Sequence, residues 1–482
     1  MVEHQICELM QMKPVKAGAK YLGLPSCWGR SKKEGFSYMT ERMMDKLQGW
    51  KTKFLSHAGR EILLKAVVQA IPTYAMACFL FPKSLCESMN SMMSNFWWSS
   101  DSKSRGIHWV AWDKLTLPKM KGGLGFRDFR AFNKALLARQ GWRLLKYPNS
   151  FVARFLKGIY FPSLDFWHAS KGSRASWAWA SLLEGRNILQ RGSRWQISNG
   201  ASVKFWEDKW VATAKDFIIK SPKPAGCPIS KVADAINSTT NSWNVGLLQN
   251  MISSSDVRNV CALPISFGNT EDAIIWHHDP KGLYQVKSRY QEEKMFQQTQ
   301  LTASPSTSFQ VPDQVWKMLW GLPVPPKLKH FWWRCCHNSL ATKQNLFRRK
   351  SSREDVCPIC LAESESIEHL ICECAWTKAV WFGSDLSLTF KDEVTSISRW
   401  MCNLYSAFSH TKERMYFFSK LLWVGWHIWK SRNALVFHRL PVDPQSTIYQ
   451  AARDNLEFLL VGPRHSFGGS LNHSLVEVSN EV

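Results

Sequence analysis

Apolar residues recur at three- and four-residue steps through residues 36–99. Phe36, Met39, Met43, Leu47 and Trp50 make one such stripe, the spacing of an amphipathic helix. Gly59 precedes a second stripe of Ile62, Leu63, Ala66, Val67 and Ala70, which Pro72 ends or kinks by removing a backbone donor. A third helix is expected from Ser84, with Glu87 three residues on as a capping box and Met89, Met92, Met93 and Phe96 on its buried side. Lys46, Lys51, Lys53, Arg60 and Lys65 fall between the stripes. The pattern predicts a compact helical bundle with a basic flank.

The periodicity then becomes mixed. Trp195 and Ile197 alternate, Asn199-Gly200 suits a tight turn, and Val203 and Phe205 alternate back, which predicts a β-hairpin over Arg194–Trp206. A second hairpin is expected at Ala273–Val286, turning at Asp279–Gly282. Gln297–Pro312 is polar and Ser/Thr-rich and reads as a linker. Helical patterns return at Trp316–Trp333 and Leu340–Arg349 and continue through Trp376, Trp381, Trp423, Trp426 and Trp429. From about Gly462 onward the chain is expected to be frayed. The fold class expected is mainly α and multidomain, with an α+β connector carrying short β-hairpins and one small metal-binding module.

Composition sharpens this picture. A chain of 482 residues with 45% apolar content and 25 Trp has material for two to four domains and is not disordered. The net charge of +24 is uneven, with residues 1–160 holding 26 Lys and Arg against 10 Asp and Glu. Such a local excess suits a surface that faces phosphates. Ile62–Phe81 is long enough to span a bilayer, but Lys65, Gln69 and Pro72 interrupt it, so two short helices and no membrane association are expected. The 13 cysteines are odd in number, and Met1–Lys13 has no secretory pattern. An intracellular, reducing location, with the nucleus among the options, follows.

Candidate chemistry concentrates at Cys357-Pro-Ile-Cys360, His369 and Cys374, spaced C-x2-C-x8-H-x4-C. Three thiolates and an imidazole close a tetrahedral shell around one Zn²⁺, and a closed shell is structural because no open position is left for substrate. The fourth ligand is ambiguous from spacing alone. On an unbroken helix His369 and Cys372 share a face, whereas Cys374 points away unless the helix ends near Ile371.

Several blocks resemble, in order, the plant LINE-type (non-LTR) reverse transcriptases. They are Tyr21–Pro25, Gly49–Lys51, Leu55–Arg60, Ile71–Tyr74, Gly122–Gly125, Asn199–Trp210, Lys281–Ser288 and Pro325–Trp332, with Trp381 after the last cysteine. The resemblance implies a residual palm edge at 1–25, a thumb-like helical bundle at 26–100, a mixed connector at 101–310, a reverse-transcriptase zinc-binding domain at 311–390 and a helical tail with a disordered end at 391–482. It also implies Cys374 as the fourth zinc ligand. The aromatic-x-Asp-Asp hallmark of the polymerase is absent, since no Asp-Asp pair occurs in the sequence. Polymerase chemistry needs paired carboxylates to hold two metal ions. No ribonuclease H carboxylate cluster can be placed either, and Glu207-Asp208 and Glu271-Asp272 read as solvated acids.

No catalytic residues are therefore assigned. The expected function is non-specific binding of an RNA–DNA or DNA duplex through Lys46, Lys51, Lys53, Arg60 and Lys65, beside a zinc-stabilised module. Two other readings are an active reverse transcriptase whose sequence starts too late, and a zinc-containing adaptor that binds protein.

Overall fold

A computed structural model describes residues 9–10, 20–25, 31–51, 55–99, 106–237, 239–265, 270–301, 310–390 and 393–461. It is mainly helical. In chain order the helices are α1 (Ser37–Lys51), α2 (His57–Ala66), α3 (Thr73–Cys78), α4 (Lys83–Trp98), α5 (Trp112–Leu115), α6 (Phe129–Lys146), α7 (Phe151–Tyr160), α8 (Trp177–Gly192) and α9 (Val245–Met251). They continue as α10 (Ser254–Cys261), α11 (Val286–Leu301), α12 (Asp313–Gly321), α13 (Pro326–Cys336), α14 (Lys343–Arg348), α15 (Ala375–Gly383), α16 (Ile397–Ala407), α17 (Thr411–His438) and α18 (Pro444–Val461). The described strands form three antiparallel two-stranded pairs: β1 (Lys20–Tyr21) with β2 (Leu24–Pro25), β3 (Ser193–Gln196) with β6 (Ala273–Trp276), and β4 (Ile236–Asn237) with β5 (Ser242–Trp243). The chain divides into two compact units, one of residues 1–54, 60–106 and 126–307, the other of 55–59, 107–125 and 308–482.

The first unit uses the first and third of the predicted stripes. Phe36, Met39, Met43 and Leu47 are buried, and so are Met89, Met93 and Phe96 on α4, while Trp50 is half-buried against Phe96 at 6.2 Å. The second expected stripe is not the buried face: Ile62, Ala66 and Ala70 are exposed and Leu63 and Val67 only half-buried, whereas Glu61, Leu64, Val68 and Gln69 are buried. The Ile62–Phe81 run does break into short helices around Pro72, and no helix among the described residues is long and apolar enough to cross a membrane. The capping box at Ser84 does not form. Pro82, with φ −55° and an extended ψ of 141°, occupies the N-cap, which puts Ser84 inside the first turn and leaves Glu87 to pair with Lys83 at 3.6 Å.

Helix α6 is the axis of this unit. It buries residues all around, from Phe129 and Phe132 to Leu136, Leu137 and Trp142, as a helix wrapped by neighbours must. Asp128 caps it by accepting from the Arg130 and Ala131 amides at 2.8 and 3.1 Å. Asn133 is buried in the wall. It accepts from the Phe81 amide at 2.7 Å and donates to the Met76 and Phe79 carbonyls at 2.7 and 2.8 Å, which fixes the turn from α3 to α4. Helix α8 lies so close to α6 that a Cβ on Gly185 would meet the Leu137 carbonyl carbon at 2.6 Å.

Both predicted hairpins are replaced by a longer-range pairing. Trp195 faces Ile274 and Ser193 faces Trp276, so β3 pairs with β6 and not with the segment after Asn199-Gly200. The turn itself exists, with Gly200 at φ +69° and pressed against the Ala233 amide. The Asp272 carboxylate directs it, accepting from the amides of Ser198, Gly200 and Ser202 at 2.8, 2.9 and 3.0 Å. Asp272 is therefore a structural acceptor and not a solvated acid. Asp208 likewise takes the Lys204 amide at 2.7 Å, while Glu207 is an exposed partner of Lys204 Nζ. The expected strand after Asp279–Gly282 is a turn leading to α11, closed by the Trp276 amide on the Gly282 carbonyl at 2.9 Å. Because α11 continues to Leu301, the expected linker is reduced to about residues 302–312, of which 302–309 lie outside the described residues.

In the second unit, Pro323 and Pro325 split the helical run Trp316–Trp333 into α12 and α13. The long α17 packs against α13, α15 and α18 through Phe418, Leu421, Leu422 and Ile428. Gly425 permits the approach to α13, since a Cβ there would meet Trp332 Cζ2 at 2.4 Å. Trp332 Nε1 then donates to the Leu422 carbonyl at 3.1 Å. The frayed end expected from Gly462 lies outside the described residues.

Asp272→Ala removes the acceptor of three amides and is expected to destabilise the first unit by about 2 kcal/mol. Urea unfolding followed by tryptophan fluorescence measures it, and Glu271→Ala serves as the neutral neighbour.

Candidate metal centre

The four spaced ligands meet. Cys357, Cys360, His369 and Cys374 bring one ligand atom each to within 4.8 Å of one another, and Cys360 Sγ lies 3.4 Å from His369 Nε2. Tetrahedral zinc with sulfur at about 2.3 Å and nitrogen at about 2.0 Å sets ligand atoms roughly 3.5–4 Å apart, so donor set and spacing both fit.

Each ligand is positioned by a local device. Cys357 and Cys360 sit on a knuckle closed by the Cys357 amide on the Glu363 carbonyl at 2.7 Å and the Leu361 amide on the Cys357 carbonyl at 3.0 Å. Leu361 takes the left-handed conformation at φ +58°, a strained choice for a non-glycine residue. His369 opens a single widened helical turn, His369–Glu373, whose closing bond runs from the Cys374 amide to the His369 carbonyl at 2.8 Å. An i→i+5 bond adds a residue to the turn, so the side chain five positions on returns to the same side as His369. That turn selects Cys374 over Cys372. Cys372 is fully buried and outside the cluster, its thiol held well above the ordinary value by burial and then by Glu373 and Glu368.

The widened turn leaves carbonyls without helical partners, and side chains take them. Thr377 Oγ1 donates to the Leu370 carbonyl at 2.9 Å and Trp381 Nε1 to the Ile371 carbonyl at 2.6 Å. Cys374 is also the N-cap of α15. A hydrogen bond from Cys357, followed by the Trp376 and Thr377 amides, holds the Cys374 thiol below its ordinary value. Cys357 is pushed up to about 12 by the same contact and by burial, and a bound cation would displace thiol protons from the ligands.

Behind the ligands lies a buried ion pair. Glu365 is fully buried, and its carboxylate receives Arg432 Nε and Nη2 at 2.7 and 2.6 Å and the Lys343 amide at 2.6 Å. The local sequence does not single out Glu365, but Arg432 carries a signal. It extends the buried α17 stripe of Phe418, Leu421, Gly425 and Ile428 with a charge where an apolar residue is expected.

The cations assigned to phosphate contact are placed differently from one another. Lys46 is exposed on α1. Lys51 ends α1 with its backbone alone described, and Lys53 lies outside the described residues. Arg60 donates to the carbonyls of Trp97 at 3.3 Å and Ser99, closing the C-terminus of α4. Lys65 pairs with Glu61 at 2.5 Å and lies 5.6 Å from the Phe126 ring centroid. Near the metal ligands, Arg348, Arg349 and Lys350 are all exposed.

This site and its frame define a zinc-binding, reverse-transcriptase-related protein: residues 284–381 match the family described as zinc-binding in reverse transcriptase. An uncharacterized mitochondrial protein of Arabidopsis thaliana is 46% identical over 143 residues, which is 30% of this chain and 93% of that protein, and the chain belongs to its family. A putative ribonuclease H protein of Arabidopsis thaliana is 28% identical over 364 residues, 74% of this chain. The chain spans 57% of the length of that relative.

Cys374→Ser is expected to reduce zinc content below half of one ion per chain, whereas Cys372→Ser leaves one ion bound. Metal analysis by mass spectrometry of proteins purified side by side checks both.

Proposed function

We propose that the chain is the C-terminal part of a plant LINE-type reverse transcriptase and acts as a nucleic-acid-binding segment with a structural zinc. The observation that carries this reading is the coincidence of the reverse-transcriptase zinc-binding match at 284–381 with a three-cysteine, one-histidine cluster at 357–374. The ribonuclease H name of one relative and the ordered family blocks support the same assignment. On this reading residues 26–100 act as a thumb that holds template–primer duplex by its backbone, and the zinc closes a scaffold and does no chemistry. No polymerase step is assigned to these residues, because the sequence holds no Asp-Asp pair, and no ribonuclease H step, because no carboxylate cluster for it can be placed. An intracellular site of action, the nucleus included, belongs to the same proposal.

The bonds made by Arg60 and Lys65 within the fold direct the phosphate-contact proposal chiefly to Lys46, Lys51 and Lys53. Each contact formed with B-form duplex contributes about 0.9 to the slope of log affinity against log salt. Lys46→Ala, Lys51→Ala and Lys53→Ala together should weaken binding of a labelled RNA–DNA primer–template at low salt. In a parallel titration with B-form DNA duplex they should also flatten the slope by roughly 2.7. A duplex affinity indifferent to salt in the parent protein would favour the protein-binding adaptor instead. Arg60→Ala is expected to lower the melting temperature, because it uncaps α4.

A further inference from the structure

Helices α6 and α7 present a second surface with a different chemistry. Between residues 129 and 164 the chain carries seven Lys and Arg and no Asp or Glu. The turn joining the helices and the outer face of α7 expose large apolar side chains: Phe151 is 81% exposed, Phe155 56% and Ile159 54%. Surface aliphatics scattered singly need no explanation, but these form a row. At 100° per residue, Phe151, Phe155 and Ile159 lie along one stripe of α7. Arg154 flanks this stripe and Lys157 lies further round the same side of the helix, both exposed, while Gly158, next to the stripe, has open space where a Cβ would be. The buried side of the helix uses Ala153, Leu156 and Tyr160 instead.

The two rings are already arranged as a platform. Phe151 and Phe155 stack with centroids 6.1 Å apart and planes 21° from parallel. Phe151 is held at the helix start, where Ser150 caps the Ala153 amide. Flat exposed rings flanked by Arg154, with the long Lys157 side chain further round, suit a ligand with π faces on a polyanionic backbone. A base-paired duplex offers phosphates, but its base faces are already stacked within the helix. An unpaired strand offers both phosphates and faces.

We infer that the α6–α7 surface binds single-stranded nucleic acid, with bases on Phe151 and Phe155 and backbone phosphates on Arg154 and Lys157. The site does not depend on the duplex grip proposed for residues 26–100, and either can fail without the other.

The test uses the full chain and labelled oligodeoxythymidylate, with a DNA duplex and phosphatidylserine vesicles measured in parallel. Phe151→Ala with Phe155→Ala should weaken single-strand binding about tenfold or more and leave duplex binding unchanged. Phe151→Tyr with Phe155→Tyr, which keeps the rings, should retain it. Arg154→Gln with Lys157→Gln should flatten the single-strand salt slope by about 1.4. Unchanged single-strand affinity in the alanine pair would overturn the inference. So would a ring-dependent preference for the vesicles, a ring-dependent shift from dimer to monomer without loss of oligonucleotide, or equal loss of single-strand and duplex binding.

Discussion

The Glu365 carboxylate is the interaction on which the metal-binding region depends. It is fully buried, carries charge, and accepts two bonds from Arg432 and one from the Lys343 amide. Its backbone is bound as well, the amide to the Asp355 carbonyl at 2.7 Å and the carbonyl to the Gln344 amide at 3.2 Å. One residue thereby ties the cysteine knuckle before it, the widened turn after it, α14 and α17. A buried pair of this kind contributes little net stability compared with apolar side chains of the same volume. Removing one partner, however, strands a charge at a cost of about 3–5 kcal/mol. Its effect is to penalise every arrangement in which knuckle and helix are not in register. The ligands can then be held close before any ion binds, and the metal adds its affinity to a frame already set.

Much of this was legible in the sequence, and the failures share a cause. The ligand spacing identified the cluster because cysteine and histidine chemistry requires few residues in a fixed order. The choice between Cys372 and Cys374 was not legible from periodicity, since ordinary helical spacing does not hold across His369–Glu373. What sustains the widened turn lies outside it, in Thr377 and Trp381. The misread hairpins have the same origin. Asn199-Gly200 reports a tight turn correctly, but a turn signal does not name the strand's partner. That partner is β6, some eighty residues away, and the Asp272 that precedes it decides where the chain goes.

The tryptophans show how a helical chain with long connections meets its backbone needs. Trp206, Trp210 and Trp243 donate to the carbonyls of Ile229, Phe205 and Leu263 at 3.0, 3.0 and 2.9 Å. Trp333 donates to Gly122 at 2.8 Å in the other unit. Each indole fills core volume and satisfies an irregular carbonyl that no helix or sheet serves. Periodicity recovers the first task, because any large apolar residue performs it. The second is invisible to pattern, because the accepting carbonyl belongs to irregular chain and, for Trp206, Trp243 and Trp333, lies twenty residues or more away in sequence.

Charge requires the same distinction between what a residue is and what it is already bonded to. The net +24 suggests a strongly phosphate-seeking surface, yet several guanidinium groups are consumed internally. Arg60 closes α4, Arg186 donates to the Phe166 and Ala169 carbonyls, and Arg334 donates to the Ser339 carbonyl at 3.1 and 2.8 Å. Burial lowers the pKa of all three, as expected when charge is taken from water to serve neutral acceptors. Polyanion affinity depends on the cations left exposed, and on whether acids stand beside them. By that criterion Arg154 and Lys157, exposed on α7, have a stronger claim than Arg60 and Lys65, although those two lie in the segment whose family resemblance first pointed to phosphate contact.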